Sequence, residues 1–195
     1  MSSVLSWLNS GTLPYPVNHT FVTLIPKTKN PEYDTQYHPI SLCNVLYKIF
    51  SKVLGNRLKK ILPIIITKHQ SAFAKNRLIS DIILVAFESL NSMKNMSTGK
   101  IGYMTIKLDM SKAYDWVKWG YLENVMIKVG FNERWIRLIM VCVKTVTYSI
   151  MVNSEPQGLI HSTRGIRQGD PLSPFLFLLC TEGLHGLIQH VASMG

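Results

Sequence analysis

An α+β domain is the fold class this sequence predicts, and three observations carry it. The chain has 195 residues, 47% of them apolar, which is enough for one domain of ordinary size with a sizeable core. Two stretches, Met104–Met110 and Thr145–Asn153, alternate in character with the period of a strand. Elsewhere apolar residues recur at helical spacing, most clearly over 44–62.

Taken in order, residues 1–10 predict a short helix with Val4, Leu5, Trp7 and Leu8 on its apolar side and Gly11 ending it. Pro14 and Pro16 mark a loop. Phe21–Ile25 reads as a short strand closed by Pro26-Lys27, and the polar residues 28–39, with two prolines, read as a loop. The 44–62 helix places Val45, Ile49, Val53 and Leu54 on its apolar face, with Leu58, Ile61 and Leu62 beyond, and Pro63 is expected to end it. Lys48, Lys52 and Lys59 share another face, at offsets of four and seven. That face is either simply solvated or a stripe that meets phosphates. Ser80 is expected to cap a helix whose stripe is Ile83, Ala86, Phe87 and Leu90. Trp119–Val129 predicts a helix stopped by Gly130, and Asn132 is expected to cap another through Trp135, Ile139 and Cys142. The 145–153 strand should turn back through a hairpin loop at 154–158, and Asp170-Pro171 or Ser173-Pro174 should open a last helix.

The net charge of +10, from 21 basic and 11 acidic residues, favours a polyanionic partner such as nucleic acid over a merely solvated basic surface. Cys43, Cys142 and Cys180 are far apart, with no metal-ligand spacing, and read as reduced core thiols of an intracellular chain, nuclear or cytoplasmic. The N-terminus lacks the pattern of a signal peptide. No apolar run approaches the ~20 residues that span a bilayer, so no membrane is expected.

Two stretches carry the chemistry. In IGYMTIKLDMSKAYD (101–115), Asp109 stands near the end of the expected strand, on its polar face. A carboxylate on rigid backbone is well placed to hold a metal, although an isolated Asp more often ends a strand or caps a helix. In RGIRQGDPLSP (164–174), two arginines, Gln168-Gly169 and two prolines precede the apolar run PFLFLLC. With FVTLIPK, HPISLCNVLYKIFSKVLGNRLK, QSAF and RGIRQGDPLSPFLFLLCTEGL in that order, the chain resembles the reverse transcriptase domain of LINE-type (non-LTR) retrotransposons, most closely those of plants.

The resemblance implies a partial right-hand polymerase fold over 1–195: fingers with an N-terminal lead-in over 1–100, and the first part of an RRM-like palm over 101–195. It implies RNA-templated DNA synthesis from deoxynucleoside triphosphates with Mg²⁺, and an RNA template and RNA–DNA hybrid as partners. Asp109 matches the first catalytic aspartate, with the carbonyl of Met110 as a further metal ligand. Hard divalent cations take oxygen ligands, which is why carboxylates are needed. Tyr114 matches the aromatic gate against a ribose 2′-OH; otherwise it is a core tyrosine. Gln168 and Gly169 match the motif beside the incoming nucleotide and template, and Lys27 a fingers residue facing the triphosphate. Arg164 and Arg167 would contact template phosphates or else form surface ion pairs. Gln70 and Arg77 would touch template or pack the fingers.

Departures from the family pattern are part of the reading. His38 stands where Arg is usual, so an imidazole replaces a bidentate fork. Lys75-Asn76 replace Pro-Gly, Ile82 replaces Asn, and Trp116 and Lys118 replace Arg and Glu. The family's third palm motif, an aromatic-x-Asp-Asp hairpin, has no counterpart among the 11 acidic residues. The expectation is therefore a domain inactive on its own. Other readings are a non-catalytic RNA-binding remnant, an intron-maturase-like RNA cofactor, and an unselected pseudogene product.

Overall fold

The computed structural model describes residues 2–67, 70, 78–95 and 104–194. Its frame is a four-stranded mixed sheet in the order β2-β1-β3-β4, in which β1 (His19–Pro26) pairs antiparallel with β2 (Tyr37–Cys43) and parallel with β3 (Thr147–Val152). β4 (Glu155–His161) returns antiparallel along β3. Around the sheet, in chain order, stand α1 (Ser2–Ser10), the single turn α2 (Tyr15–Asn18), α3 (Val45–Ile65), α4 (Ile79–Asn95), α5 (Trp119–Val129), α6 (Glu133–Lys144) and α7 (Ser173–Met194).

Local chemistry explains several boundaries. The N–H of Gly11, at φ 74°, bonds back to the Trp7 carbonyl at 2.9 Å and closes α1. Gly130, at φ 90°, ends α5 in the left-handed conformation that a side chain resists. Asn132 caps α6, its Oδ1 accepting from the Arg134 N–H at 2.9 Å. On α6 the polar and apolar faces are cleanly separated, and Ile136, Ile139, Met140 and Cys142 are buried. Leu122 and Met126 of α5 meet the same core, as do Leu172, Leu176 and Leu179 around the start of α7.

Other elements depart from the sequence reading. The buried face of α3 is Tyr47, Phe50, Ser51, Leu54, Gly55, Leu58 and Leu62, while Val45 and Ile49 stay exposed. The stripe rotates because Gly55 admits the Pro171 carbonyl and the Phe175 ring, each within 3.2 Å of where a Cβ would stand. Pro63 does not end α3; the helix continues to Ile65 and closes with the Ile66 N–H on the Leu62 carbonyl at 2.8 Å. Part of the expected 28–39 loop is β2, which begins at Tyr37 and contains Pro39. β2 is an edge strand, where a residue lacking an N–H is tolerated. The β3–β4 turn is tight, with Asn153 and Ser154 both at positive φ, so 155–158 belong to β4.

The expected strand Met104–Met110 is not a strand: the segment has no ladder partner among the described residues, and every residue in it is exposed. Alternation states which side a strand would bury, and among the described residues no layer covers that side. In α4 the expected apolar stripe exists in sequence, but Ile83, Phe87 and Leu90 are all exposed. At 22 residues, α7 is long and apolar enough to cross a bilayer, contrary to the reading of the sequence. Its first half is instead core of this fold, with Leu176 and Leu179 almost fully buried. The three cysteines are buried and unpaired with one another, as expected. Lys75, Asn76 and Arg77 lie outside the described residues.

Candidate active site

One sheet face is roofed by the segment between β4 and α7. Directly paired residues share a face, so Val22 and Leu24 of β1 stand with Ser41 and Pro39 of β2. With Tyr148 and Ile150 of β3 they floor a cleft of about 500 Å³. The roof, 162–168, leaves β4 at one edge of the sheet and reaches β2 at the other, where the Ser41 N–H donates to the Gln168 carbonyl at 3.2 Å. Asp115, His161, Ser162, Thr163, Arg164 and Gln168 supply the polar rim.

Two glycines let this roof sit so close. Gly165, at φ 90°, lies against the 111–116 turn, and a Cβ there would stand 3.3 Å from the Asp115 carbonyl oxygen. The Gly165 N–H bonds the Val117 carbonyl at 2.8 Å, the Ile166 N–H bonds the Tyr114 carbonyl at 3.0 Å, and the Trp119 indole N–H donates to the Gly165 carbonyl at 2.7 Å. Gly169, at φ 95°, would bring a Cβ within 3.3 Å of the Ser41 carbonyl. The two stretches that carry the chemistry in sequence, 101–115 and 164–174, are thus joined backbone to backbone.

Beneath the roof is a buried polar knot. Arg167 is 5% exposed; its guanidinium donates to Thr20 Oγ1 at 3.0 Å and to the Cys142 carbonyl at 3.2 Å, and pairs with Asp170 at 3.4 Å. It also lies 3.7 Å above the Tyr47 ring. The Tyr47 hydroxyl donates to Asp170 Oδ2 at 2.5 Å, and Asp170 Oδ1 accepts the Leu172 N–H at 2.9 Å. Burial, with the Asp170 carboxylate beside it, pushes the Tyr47 phenol well above its ordinary range and keeps it a donor. Arg167 therefore does not present itself to a template phosphate: its fork is filled from inside the protein. The ion pair is real but internal. Sequence reading missed Thr20, Tyr47 and Asp170 as its partners. The proximity of Arg167 and Asp170 was visible at i,i+3; Tyr47 and Thr20, more than a hundred residues away, carried no such signal.

The other expected residues divide. Gln168 lines the cleft, as does Arg164, whose guanidinium lies 4.1 Å over the Trp116 ring, while Gly169 follows directly, against the Ser41 carbonyl of β2. Tyr114 packs its ring against Phe177, centroids 5.1 Å apart, and is half-buried rather than a wall of the cleft. His38 pairs with Ile25 on the opposite face of the sheet from Pro39 and Ser41. Lys27 donates its ammonium to the Thr35 carbonyl at 3.1 Å, and Gln70 donates to Thr181 Oγ1 at 2.9 Å on α7. Lys48, Lys52 and Lys59 are exposed along α3. Asp109 is exposed in the extended segment and does not line the cleft, whereas Asp115 does.

The family model described as reverse transcriptase (RNA-dependent DNA polymerase) matches residues 25–193. The chain belongs to this family. The reverse transcriptase domain is 28% identical over 189 residues to the Retrovirus-related Pol polyprotein from type-1 retrotransposable element R2 of Popillia japonica, covering 91% of this chain and 26% of the relative. It is 27% identical over 172 residues to the Transposon TX1 uncharacterized 149 kDa protein of Xenopus laevis, covering 88% of this chain and 13% of that protein. A shorter match, 56% identical over 45 residues, is to an uncharacterized mitochondrial protein of Arabidopsis thaliana, covering 23% of this chain and 37% of that protein. The chain thus spans about a quarter or less of the two retrotransposon proteins.

Reverse transcriptases generally use Mg²⁺, and the residues can be tested against that. Asp109, with the Met110 carbonyl, offers one carboxylate, and among the described residues no three His, Cys, Asp or Glu side chains come together. The donors described here do not fit a two-metal centre, and no step through metal is derived.

Proposed function

We propose that this reverse transcriptase domain is the template- and nucleotide-facing part of a non-LTR retrotransposon enzyme, fingers over 1–100 and the start of the palm beyond. The observation that carries the reading is the joining of the 111–116 turn, the 164–169 roof and β2 around one cleft. In this reading Gln168 and Gly169 lie where backbone would approach a base pair closely. The identity to a plant mitochondrial protein supports kinship with plant elements. RNA template, RNA–DNA hybrid and deoxynucleoside triphosphates are its ligands, and its place is inside the cell, in nucleus or cytoplasm. In this reading Lys48, Lys52 and Lys59 serve as phosphate contacts, Arg167 supports the roof from within, and His38, on the sheet face opposite Pro39 and Ser41, takes no part in holding the triphosphate.

RNA binding with a steep salt dependence tests the reading. Each phosphate contact contributes about 0.7–0.9 to the log–log slope, so Lys48→Gln, Lys52→Gln and Lys59→Gln together should lower it by roughly 2–3 without changing the melting temperature. A slope unchanged by the triple substitution would show α3 to be a solvated face. Catalysis by this chain alone is not expected, because among the described residues Asp109 has no carboxylate cluster around it. Primer extension on RNA that vanishes in Asp109→Ala would overturn that expectation.

A further inference from the structure

The most exposed of the four tryptophans is Trp116, at 58%, while Trp7, Trp119 and Trp135 are partly buried. Trp116 belongs to the turn that carries Asp115, and the Arg164 guanidinium lies 4.1 Å over its ring. Neither Arg164 nor Trp116 is needed by the core: both are exposed, and no ion pair among the described residues involves Arg164. A large aromatic open to water and stacked by a cation offers a flat apolar surface on which a further ring can lie.

The surroundings say what that is. Arg164 lines the polar cleft, and Trp116 does not. Trp116 instead walls a separate recess of about 260 Å³, with Met110, Ala113, Phe177 and Leu184 as its apolar lining and Lys118 at its rim. The indole thus walls the apolar slot together with Lys118, while the guanidinium stacked on it lines the neighbouring cleft. An apolar slot with an aromatic wall suits the π-face of a nucleobase, and the two cations suit the phosphates on either side of that base. Bases stack on aromatic side chains and guanidinium planes without regard to sequence. Net charge of +10 complements the same ligand.

We propose that Trp116 and Arg164 form a stacking ledge that takes one unpaired base of a single-stranded template as the strand passes the mouth of the cleft, with Lys118 meeting a flanking phosphate. The proposal rests on the nucleic-acid-binding reading above and adds to it a base-contacting residue that a duplex cannot reach. A paired base keeps its faces within the helix stack, so the ledge discriminates single strand from duplex.

The test uses the full chain and three labelled probes of roughly 12 residues: single-stranded RNA, a blunt RNA duplex, and a single strand of abasic sugar-phosphate. Trp116→Ala should weaken binding of single-stranded RNA by about 10- to 100-fold, and Trp116→Phe should restore most of it. Neither change should alter the salt slope or the affinity for duplex, and the abasic strand should bind wild type no better than Trp116→Ala binds RNA. Single-stranded RNA should also quench wild-type tryptophan fluorescence more than that of Trp116→Phe. Equal affinity of wild type and Trp116→Ala for single-stranded RNA, or an equal loss on duplex, would overturn the ledge while leaving the nucleic-acid reading intact. Absence of binding to any probe by wild type would overturn both. Because Trp116 is exposed, thermal melts of the variants should match wild type.

Discussion

Arg167 shows how residue type and residue role part company. In sequence it is one of two arginines beside a Gln-Gly pair, a setting that suggests phosphate. In the fold it joins β1 through Thr20, the end of α6 through the Cys142 carbonyl, and α3 through the Tyr47 ring. Breaking a buried pair is costly because the remaining charge keeps its desolvation penalty without its partner. Arg167→Lys keeps the charge but loses the planar fork, so it cannot serve Thr20, the carbonyl and Asp170 together. A loss of about 2–4 kcal/mol in denaturant unfolding is expected, with the salt slope of RNA binding unchanged in the folded fraction. A stability equal to wild type with a shallower slope would return Arg167 to the template. What sequence made legible here was chemistry, namely the presence of a cation beside Gln168. What it withheld was direction, because the partners that turn the side chain inward are set by tertiary packing.

At the scale of elements, local signals were read well. α5 and α6 begin and end where Gly130 and Asn132 indicate, since caps act within one turn. Elements whose state depends on a distant partner were read poorly. The 104–110 stretch alternates but pairs with nothing described, and the buried face of α3 is set by Gly55 against 171–175 rather than by its most hydrophobic residues. The α5–α7 contact offers a sharper test of packing. At Gly183 of α7 a Cβ would stand 2.6 Å from the Tyr121 hydroxyl and 2.8 Å from a Val125 methyl. The Tyr121 hydroxyl donates to the Cys180 carbonyl at 3.0 Å, so it is not free to swing away. Gly183→Ala should therefore destabilise by about 1–3 kcal/mol despite the better helix propensity of alanine. Tyr121→Phe combined with it should recover part of the loss. A melting temperature raised by Gly183→Ala alone would show that α7 is not seated against α5 in solution.

The molecule as a whole keeps several acidic protons in its interior, and this sets its response to alkali. Burial pushes the Cys142 and Cys180 thiols from 9.0 up to about 12, and Tyr148 from 10.0 to about 12. These groups are neutral when folded and ionise more readily when unfolded. The stability that goes with their burial is fully present below pH 9 and is lost as pH rises toward 12, because the unfolded chain releases protons first. Each thiol contributes on the order of 1.4 kcal/mol per pH unit across that window. Unfolding free energy measured from pH 8 to 11 should fall steeply above pH 9, and Cys142→Ala, although less stable at pH 8, should fall less steeply by about one proton. An unchanged slope in Cys142→Ala would mean that this thiol is open to water.

The parallel pairing of β1 with β3 also bears on how the chain comes off the ribosome. His19 lies beside Thr147 and Val22 beside Ile150, so well over a hundred codons separate the two strands. At roughly 5–20 residues per second, β1 and β2 emerge many seconds before the strand that completes the sheet. During that interval β1 has one open edge, and Phe21 and Val22 sit on it. β2 already occupies the other edge and cannot cover them. The nascent chain therefore carries an unfinished hairpin until β3 emerges, and a holdase or a pause before codon 147 would bear directly on how much of it escapes self-association. The knot of Arg167, Asp170 and Tyr47 closes later still, so the roof of the cleft takes shape only after β3 and β4 are made.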